Sequence, residues 1–220
     1  MTTLTTAPVA SVLDGLFATD SSWRLDIPGI DSMSEEERQR LMQSKTEYRE
    51  FYGLLKDAPL AVSRETGVLL YMLARSMRAR TIVEFGTSFG VSTLHLAAAL
   101  RDNGGGQLVT SEFEPGKIAR AKANLTAGGL VDLVEFREGD ALETLSVDLP
   151  GTIDLLLLDG AKGLYPEILT LVESRLRPGA LIVADNAEHS PDYLAKVRAP
   201  EHGYLSVPFA ADVELSMRLR

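Results

Sequence analysis

From residue 81 onward the chain alternates short, continuous apolar blocks with longer stretches in which apolar residues recur every three or four positions. The densest block is Ile153–Leu158, with four consecutive Leu between Asp154 and Asp159, bounded by Pro150-Gly151 and by Gly160. A run so short and so uniformly apolar predicts a strand buried on both faces of a parallel sheet. The same reading predicts strands at Thr81–Phe85, Gln107–Glu112, Val134–Arg137 and Ala180–Ala184. Between and after them it predicts helices at Val91–Arg101, Pro115–Ala127, Ala141–Leu145, Leu164–Arg175 and Asp192–Val197. Pro115 falls near the first turn of its helix, where a missing N–H costs nothing. At the tail the rhythm breaks: Tyr204–Pro208 and Val213–Leu219 are two strands joined by a short Ala-Asp turn, an antiparallel hairpin at one sheet edge. Strand–helix alternation implies right-handed crossovers with helices on both faces. The expected fold is α/β, a seven-stranded, mostly parallel sheet with a C-terminal antiparallel hairpin.

The first 57 residues follow a different pattern and predict a helical N-terminal extension. Residues 1–30 are weakly periodic, a loosely ordered arm with a short helix around Val9–Phe17. Ser34 and Glu37 form a capping-box signature that opens a helix to about Leu55, with Leu41, Tyr48, Phe51, Tyr52 and Leu55 mostly on one face. That face serves as a cover over a site or as simple packing against the core. After Asp57-Ala58-Pro59 a further helix, Ser63–Ser76, turns Val68, Leu69, Met72 and Leu73 inward. The expected organisation is an extension over 1–57 and one domain over 58–220.

Composition narrows the chemistry. At 220 residues and 45% apolar content the chain can bury one sizeable core. No apolar run approaches the ~20 residues of a membrane span, and the N-terminus lacks a basic segment ahead of a sustained apolar one, so a cytoplasmic location is expected. With no Cys, any metal must be held by oxygen or by the three His. A net charge of −9 without a basic stripe argues against a nucleic-acid partner.

The predicted strands end in acids, at the edge where open α/β sheets bind ligands. Asp159 follows the Leu run and Lys162 lies three residues on; an Asp in this position is also a common helix N-cap, so alone it leaves both readings open. Residues 84–90 read E-x-G-x-x-x-G, and the glycines at 86 and 90 let backbone approach a ligand beside the free N–H groups of a helix start. A dinucleotide loop wants G-x-G-x-x-G; the missing glycine and the Glu84 carboxylate disfavour a pyrophosphate, and with it an NAD oxidoreductase, and favour a positively charged ligand. Glu112 stands where an acid binding ribose hydroxyls is expected, and Asp140 is placed to accept from an adenine amino group. Each acid singly reads as a capping or surface residue; four successive strands ending in one are harder to dismiss. The fifth strand adds Asp185-Asn186. With Asp159 these form a three-oxygen site suited to Mg²⁺, Mn²⁺ or Ca²⁺, unless they merely turn the chain. His95 is expected to pack or cap, His189 to sit in a surface loop or line an acceptor pocket, and His202 to lie in a loop. Trp23, Tyr48 and Phe51 are candidates to cover an aromatic acceptor or to pack against a second copy.

In these motifs the chain resembles the cation-dependent class I O-methyltransferases that use S-adenosylmethionine, the group of catechol and caffeoyl-CoA O-methyltransferases with their bacterial relatives. The carriers are VEFGTSFGVSTL at 83–94, SEFEP at 111–115, EGDA at 138–141, DLLLLDGAKGLY at 154–165 and LRPGALIVADNA at 176–187, and the resemblance covers about residues 58–220. It implies a Rossmann-like fold and methyl transfer from S-adenosylmethionine to a hydroxyl of a small catechol or phenol. It implies that Glu84, Gly86, Thr87 and Ser92 surround the methionine part of the cofactor, that Val62 closes over it, that Glu112 holds the ribose and that Asp140 with Ala141 flanks the adenine. Asp159, Asp185 and Asn186 match the metal ligands, Asp159 also bordering the cofactor, and Lys162 matches the base, provided that burial and a nearby metal depress its pKa. Position 161 is Ala where the animal catechol enzymes carry a bulky aromatic. Relatives are commonly dimers, so a homodimer is expected. The alternatives are an RNA-modifying methyltransferase of the same fold and a nonenzymatic S-adenosylmethionine-binding protein.

Overall fold

A computed structural model describes the chain except residues 23–26, 28, 210 and 211 and the side chains of 21 and 22. Trp23 and the Ala residues of the hairpin turn lie outside the described residues. In chain order the elements are α1 (Val9–Ser22), α2 (Glu35–Met42), α3 (Tyr48–Leu54), α4 (Arg64–Ser76), β1 (Thr81–Phe85), α5 (Val91–Asp102), β2 (Gln107–Glu112) and α6 (Pro115–Ala127). They continue with β3 (Val134–Glu138), α7 (Ala141–Thr144), β4 (Ile153–Leu158), α8 (Tyr165–Val172), β5 (Leu176–Asp185), α9 (Pro191–Val197), β6 (Tyr204–Phe209) and β7 (Val213–Arg218). All seven strands form one sheet in the order β3-β2-β1-β4-β5-β7-β6. β1 to β5 pair in parallel, and β7 runs against both β5 and β6.

The Leu run of β4 sits where the pattern requires. Leu155, Leu156, Leu157 and Leu158 are all 0% exposed. Alternation sends Leu155 and Leu157, with Ile82 and Val183, into a core shared with α1, α4 and α5. Leu156 and Leu158, with Val83 and Ile182, face a second core built by α8 and α9. Burying each such side chain contributes about 1.5–3 kcal/mol, which is why both faces stay apolar.

Three expectations are corrected. The helix expected from Ser34 to Leu55 is two helices. Ser34 Oγ does accept from Glu37 N at 3.1 Å, but Ser44 Oγ accepts from Thr46 N and Glu47 N at 3.3 and 3.0 Å, and this local bonding competes with helical continuation before α3 starts. On α4 the inward face is Gly67, Leu70, Tyr71 and Ala74, while Val68 and Met72 are 40% and 59% exposed. The reason is Gly67, where an added Cβ would stand 2.6 Å from the His95 ring of α5; the helix turns its smallest residue toward that contact. The N-terminal stretch is tied in rather than loose: Leu4, Val9 and Leu13 join the main core, and Thr3 donates through N and Oγ1 to Asp102. Among the described residues no helix is long and apolar enough to cross a membrane.

Candidate active site

The sheet order reverses between β1 and β4, and there the backbone segments that leave the two strands are in contact. Asp159 N donates to Phe85 O at 2.8 Å. Gly86 has φ +102°, and a Cβ on it would lie 2.5 Å from the Asp159 carbonyl oxygen. A Cβ on Gly160 would come equally close to the Phe85 ring. Two glycines thus let the strand ends close together, and above them opens a cleft at the carboxyl ends of the strands, where open α/β sheets bind ligands. Gly86, Glu112, Asp140, Ala141 and Asp159 of the expected set line it, together with Tyr48 and Tyr52 from α3. A smaller recess adjoins it, lined by Thr87 and Ser92, with Leu60 and Ser88 common to both.

The acids at the strand ends are engaged by donors. Glu112 accepts from the backbone N–H of Ser88, Phe113 and Glu114, each at 3.0 Å. Asp140 caps α7 through Leu142 N at 3.0 Å and accepts from Tyr48 Oη at 2.8 Å and from Arg49. Burial pushes the Asp140 carboxyl up, but these bonds outweigh it and hold the group below its usual range. Glu84 is fully buried and lines neither cavity. Its oxygens accept from Ser92, Thr93 and Thr110 hydroxyls at 2.6, 2.7 and 2.6 Å, yet burial dominates and raises its carboxyl from 4.5 to about 7. Val62 is likewise buried in the core and lines neither cavity.

Lys162 stands between two carboxylates. Its Nζ is 3.0 Å from Asp159 Oδ1, 2.9 Å from Tyr165 Oη and 4.0 Å from Asp185 Oδ2. Tyr165 Oη in turn donates to the Asp185 carbonyl at 2.8 Å. Burial works against the ammonium, but Tyr165, Asp159, Tyr52 and Asp185 together outweigh it and hold Lys162 well above the ordinary lysine range. This reverses the depression expected for a base. Asp185 is raised to about 7, first by burial and then by Asp159. Among the described residues no group of three or more His, Asp or Glu side chains is arranged to share an ion. A cation here would therefore rest on Asp159, Asp185 and the amide of Asn186, which leaves β5 in a left-handed conformation at φ +48°. Two carboxylates and an amide oxygen would be a hard donor set for a divalent cation, and in this structure the Lys162 ammonium stands against both carboxylates.

Of the histidines, His95 is buried and bonded through Nδ1 to Val91 O at 2.8 Å, as expected of a packing residue. His202 Nδ1 lies 3.0 Å from Lys196 O, and His189 faces Glu188 at 3.7 Å. Sequence reasoning assigned no cleft role to Lys117, although it lines the cavity. Tyr48, a candidate cover for an acceptor, does line the cleft, and so does Tyr52, which the sequence places only on the same helix face; Phe51, the other described candidate, is buried in a separate cluster with Ile30 and Leu41.

Strand order, switch-point cleft and acid-tipped edge define a class I methyltransferase fold. Residues 83–187 match the family model described as a methyltransferase domain. A catechol O-methyltransferase of Niastella koreensis is 37% identical over 130 residues, 58% of either chain. One of Mycobacterium tuberculosis is 35% identical over 137 residues, 62% of this chain and 61% of that one. The chain thus spans about three fifths of the length of these two relatives. A protein of Mycolicibacterium vanbaalenii whose name places it among the O-methyltransferases is 31% identical over 176 residues, 74% of this chain and 76% of that one. Among solved structures, the O-methyltransferase TomG of Streptomyces achromogenes, involved in tomaymycin synthesis and crystallised with S-adenosylmethionine, is 27% identical, with a TM-score of 0.65 over 91% of this chain and 99% of that one. The O-methyltransferase of Bacillus cereus in complex with S-adenosylhomocysteine, 20% identical with a TM-score of 0.69 over 94% and 100%, shares the fold. The chain belongs to the class I S-adenosylmethionine-dependent O-methyltransferase family.

Proposed function

We propose that this protein transfers the methyl group of S-adenosylmethionine to a hydroxyl of a small catechol-like acceptor, with a divalent cation, Mg²⁺ by preference, in the site. The observation that carries the reading is the buried Asp159–Lys162–Asp185 cluster, which meets the cleft through Asp159 while Lys162 and Asp185 lie behind its lining. In this reading Glu112 binds the ribose hydroxyls, Asp140 and Ala141 border the adenine, and the loop at Gly86 and Thr87 accommodates the methionine end. The acids around the cleft favour a sulfonium cation over a neutral ligand. Residues 1–57 act as a cap, since Tyr48 and Tyr52 line the cleft.

Asp159, Asp185 and Asn186 would hold the cation, whose chemistry there is to make an acceptor hydroxyl more acidic. Lys162 is the residue positioned to receive the proton. It can do so only when Asp159 and Asp185 no longer hold it as an ammonium, so its basicity and the charge on those two carboxylates are linked. Tyr165 Oη, bonded to both Lys162 and the Asp185 carbonyl, fixes the amine between the strands. Holding methyl and oxygen in line can itself be worth ~7–11 kcal/mol of barrier.

The test is turnover of a catechol with labelled methyl donor. Chelator is expected to abolish it and Mg²⁺ to restore it; full activity in chelator removes the cation from the proposal. Lys162→Met is expected to lower kcat by at least about a hundredfold while S-adenosylhomocysteine affinity stays within about threefold. An unchanged kcat removes Lys162 from the chemistry. The homodimer expected from the family belongs to the same proposal; exposed Leu205, Val207 and Phe209 on the edge strand β6 are an apolar stripe that a second copy can cover.

A further inference from the structure

An adenine presents a flat π-face as well as an amino group, and a wall that binds it gains most from an aromatic surface beside its hydrogen-bond acceptor. The loop after β4 supplies no such surface, because the residue it sets into the cleft at position 161 is Ala. Among the described residues four aromatic side chains line the cleft, Tyr48, Tyr52, Phe85 and Phe113. Phe85 belongs to the floor, where a Cβ on Gly160 would strike its ring. Tyr52 stands by Lys162, and Phe113 follows Glu112. Tyr48 is the one bonded to Asp140: its Oη donates to Asp140 Oδ2 at 2.8 Å, and its ring shares a buried apolar cluster with Ala141 and Ala161.

The placement of Tyr48, the first residue of α3, is fixed from both sides of the cleft. On the Asp140 side, Arg49 also donates to Asp140 Oδ2, its guanidinium carbon 6.0 Å from the centroid of the Tyr48 ring. On the Lys162 side, a Cβ on Gly163 would stand 2.6 Å from Gln43 O, so the chain leading into α3 rests on the loop beside Lys162. Lys45 Nζ adds an ion pair with Glu167 Oε1 of α8 at 2.7 Å. Burial, then the Asp140 carboxylate, hold the Tyr48 phenol above its ordinary range, so it remains a donor at neutral pH. Asp140 Oδ1 accepts from Leu142 N, and a carboxylate oxygen has a second lone pair to offer an amino group. Ring and acceptor are therefore presented together by groups already locked in place, which spares the ordering cost of assembling them around a ligand.

We propose that Tyr48, reaching in from the N-terminal extension, supplies the aromatic surface of the adenine subsite that position 161 lacks, which makes it a cofactor-binding residue selective for the base. The inference rests on the assignment of this cleft to S-adenosylmethionine, with its adenine at Asp140. The test is calorimetric binding of S-adenosylhomocysteine and of adenosine to wild type, Tyr48→Leu, Tyr48→Phe and Arg49→Met. Tyr48→Leu is expected to weaken both ligands by at least about tenfold and by the same factor, because the lost contact is to the base they share. Tyr48→Phe keeps the ring, and Arg49→Met removes a tie between α3 and Asp140 without touching it; both are expected to stay within about threefold of wild type. Wild-type affinity in Tyr48→Leu, or a loss confined to S-adenosylhomocysteine, overturns the subsite. An equal loss in Tyr48→Phe or Arg49→Met overturns it too, since affinity would then follow the fastening of α3 rather than the ring. Failure of wild type to bind S-adenosylhomocysteine at all instead overturns the cofactor assignment on which the inference rests.

Discussion

Glu84 is the group whose perturbation the structure quantifies best. It is 0% exposed, surrounded by three hydroxyl donors, and its carboxyl rises from 4.5 to about 7 because burial outweighs those bonds. A folded-state pKa above the unfolded one means that the native protein binds more protons between those two values, so stability falls as pH rises through the window and stays depressed above it. At about 1.36 kcal/mol per unit the full penalty is on the order of 3 kcal/mol, of which about 2–3 kcal/mol develops between pH 5 and pH 8. Glu84→Gln keeps the shape and removes the charge, and the Thr93 and Thr110 hydroxyls can reverse to accept from its amide. The ligand-free variant should therefore gain on wild type as pH rises. For a chain of this size the Tm gap should widen by roughly 5–10 °C from pH 5 to pH 8, read by calorimetry or circular dichroism. Asp185 titrates in the same range in both proteins, so the difference between them isolates Glu84. Parallel pH profiles for the two proteins would refute the reasoning, since they would mean that the three hydroxyls suffice to keep the carboxylate ionised.

Gly86→Ala should cost at least about 2 kcal/mol in urea unfolding, because φ +102° and a backbone oxygen 2.5 Å from the new Cβ leave no relaxation that keeps β1 and β4 together; a neutral result would deny that contact. The dimer is checked by sedimentation at micromolar concentration. Wild type should run as a dimer and Val207→Lys, at the centre of the exposed β6 stripe, as a monomer, whereas a monomeric wild type removes the dimer from the proposal.

The sheet was legible because its signals are local. A Leu run flanked by Pro-Gly and Gly, and Pro115 at a helix start, describe β4 and α6 without reference to anything distant, and both elements lie where the pattern predicts them. What the sequence concealed depends on partners far along the chain. The face of α3 was legible from its spacing, but Tyr48 meets Asp140 across 92 positions and Gly67 meets His95 across the α4–α5 contact, so neither the partner of α3 nor the inward face of α4 could be read locally. The acids were legible as a set of strand ends, but their condition was not: the spacing that brings Lys162 beside Asp159 also surrounds it with oxygens that raise its pKa, opposite to the depression expected of a base. Lys117 looks in the sequence like any helix-surface lysine, yet it is 5% exposed and lines the cleft.

Because a single carbon added at Gly86 would strike the Asp159 carbonyl, the floor of the cleft between β1 and β4 is bare backbone with no room for a side chain. It cannot be deepened without parting the middle of the sheet. Change in what the cleft admits is left to its walls, where Tyr48 and Tyr52 of α3 stand above an almost immovable base.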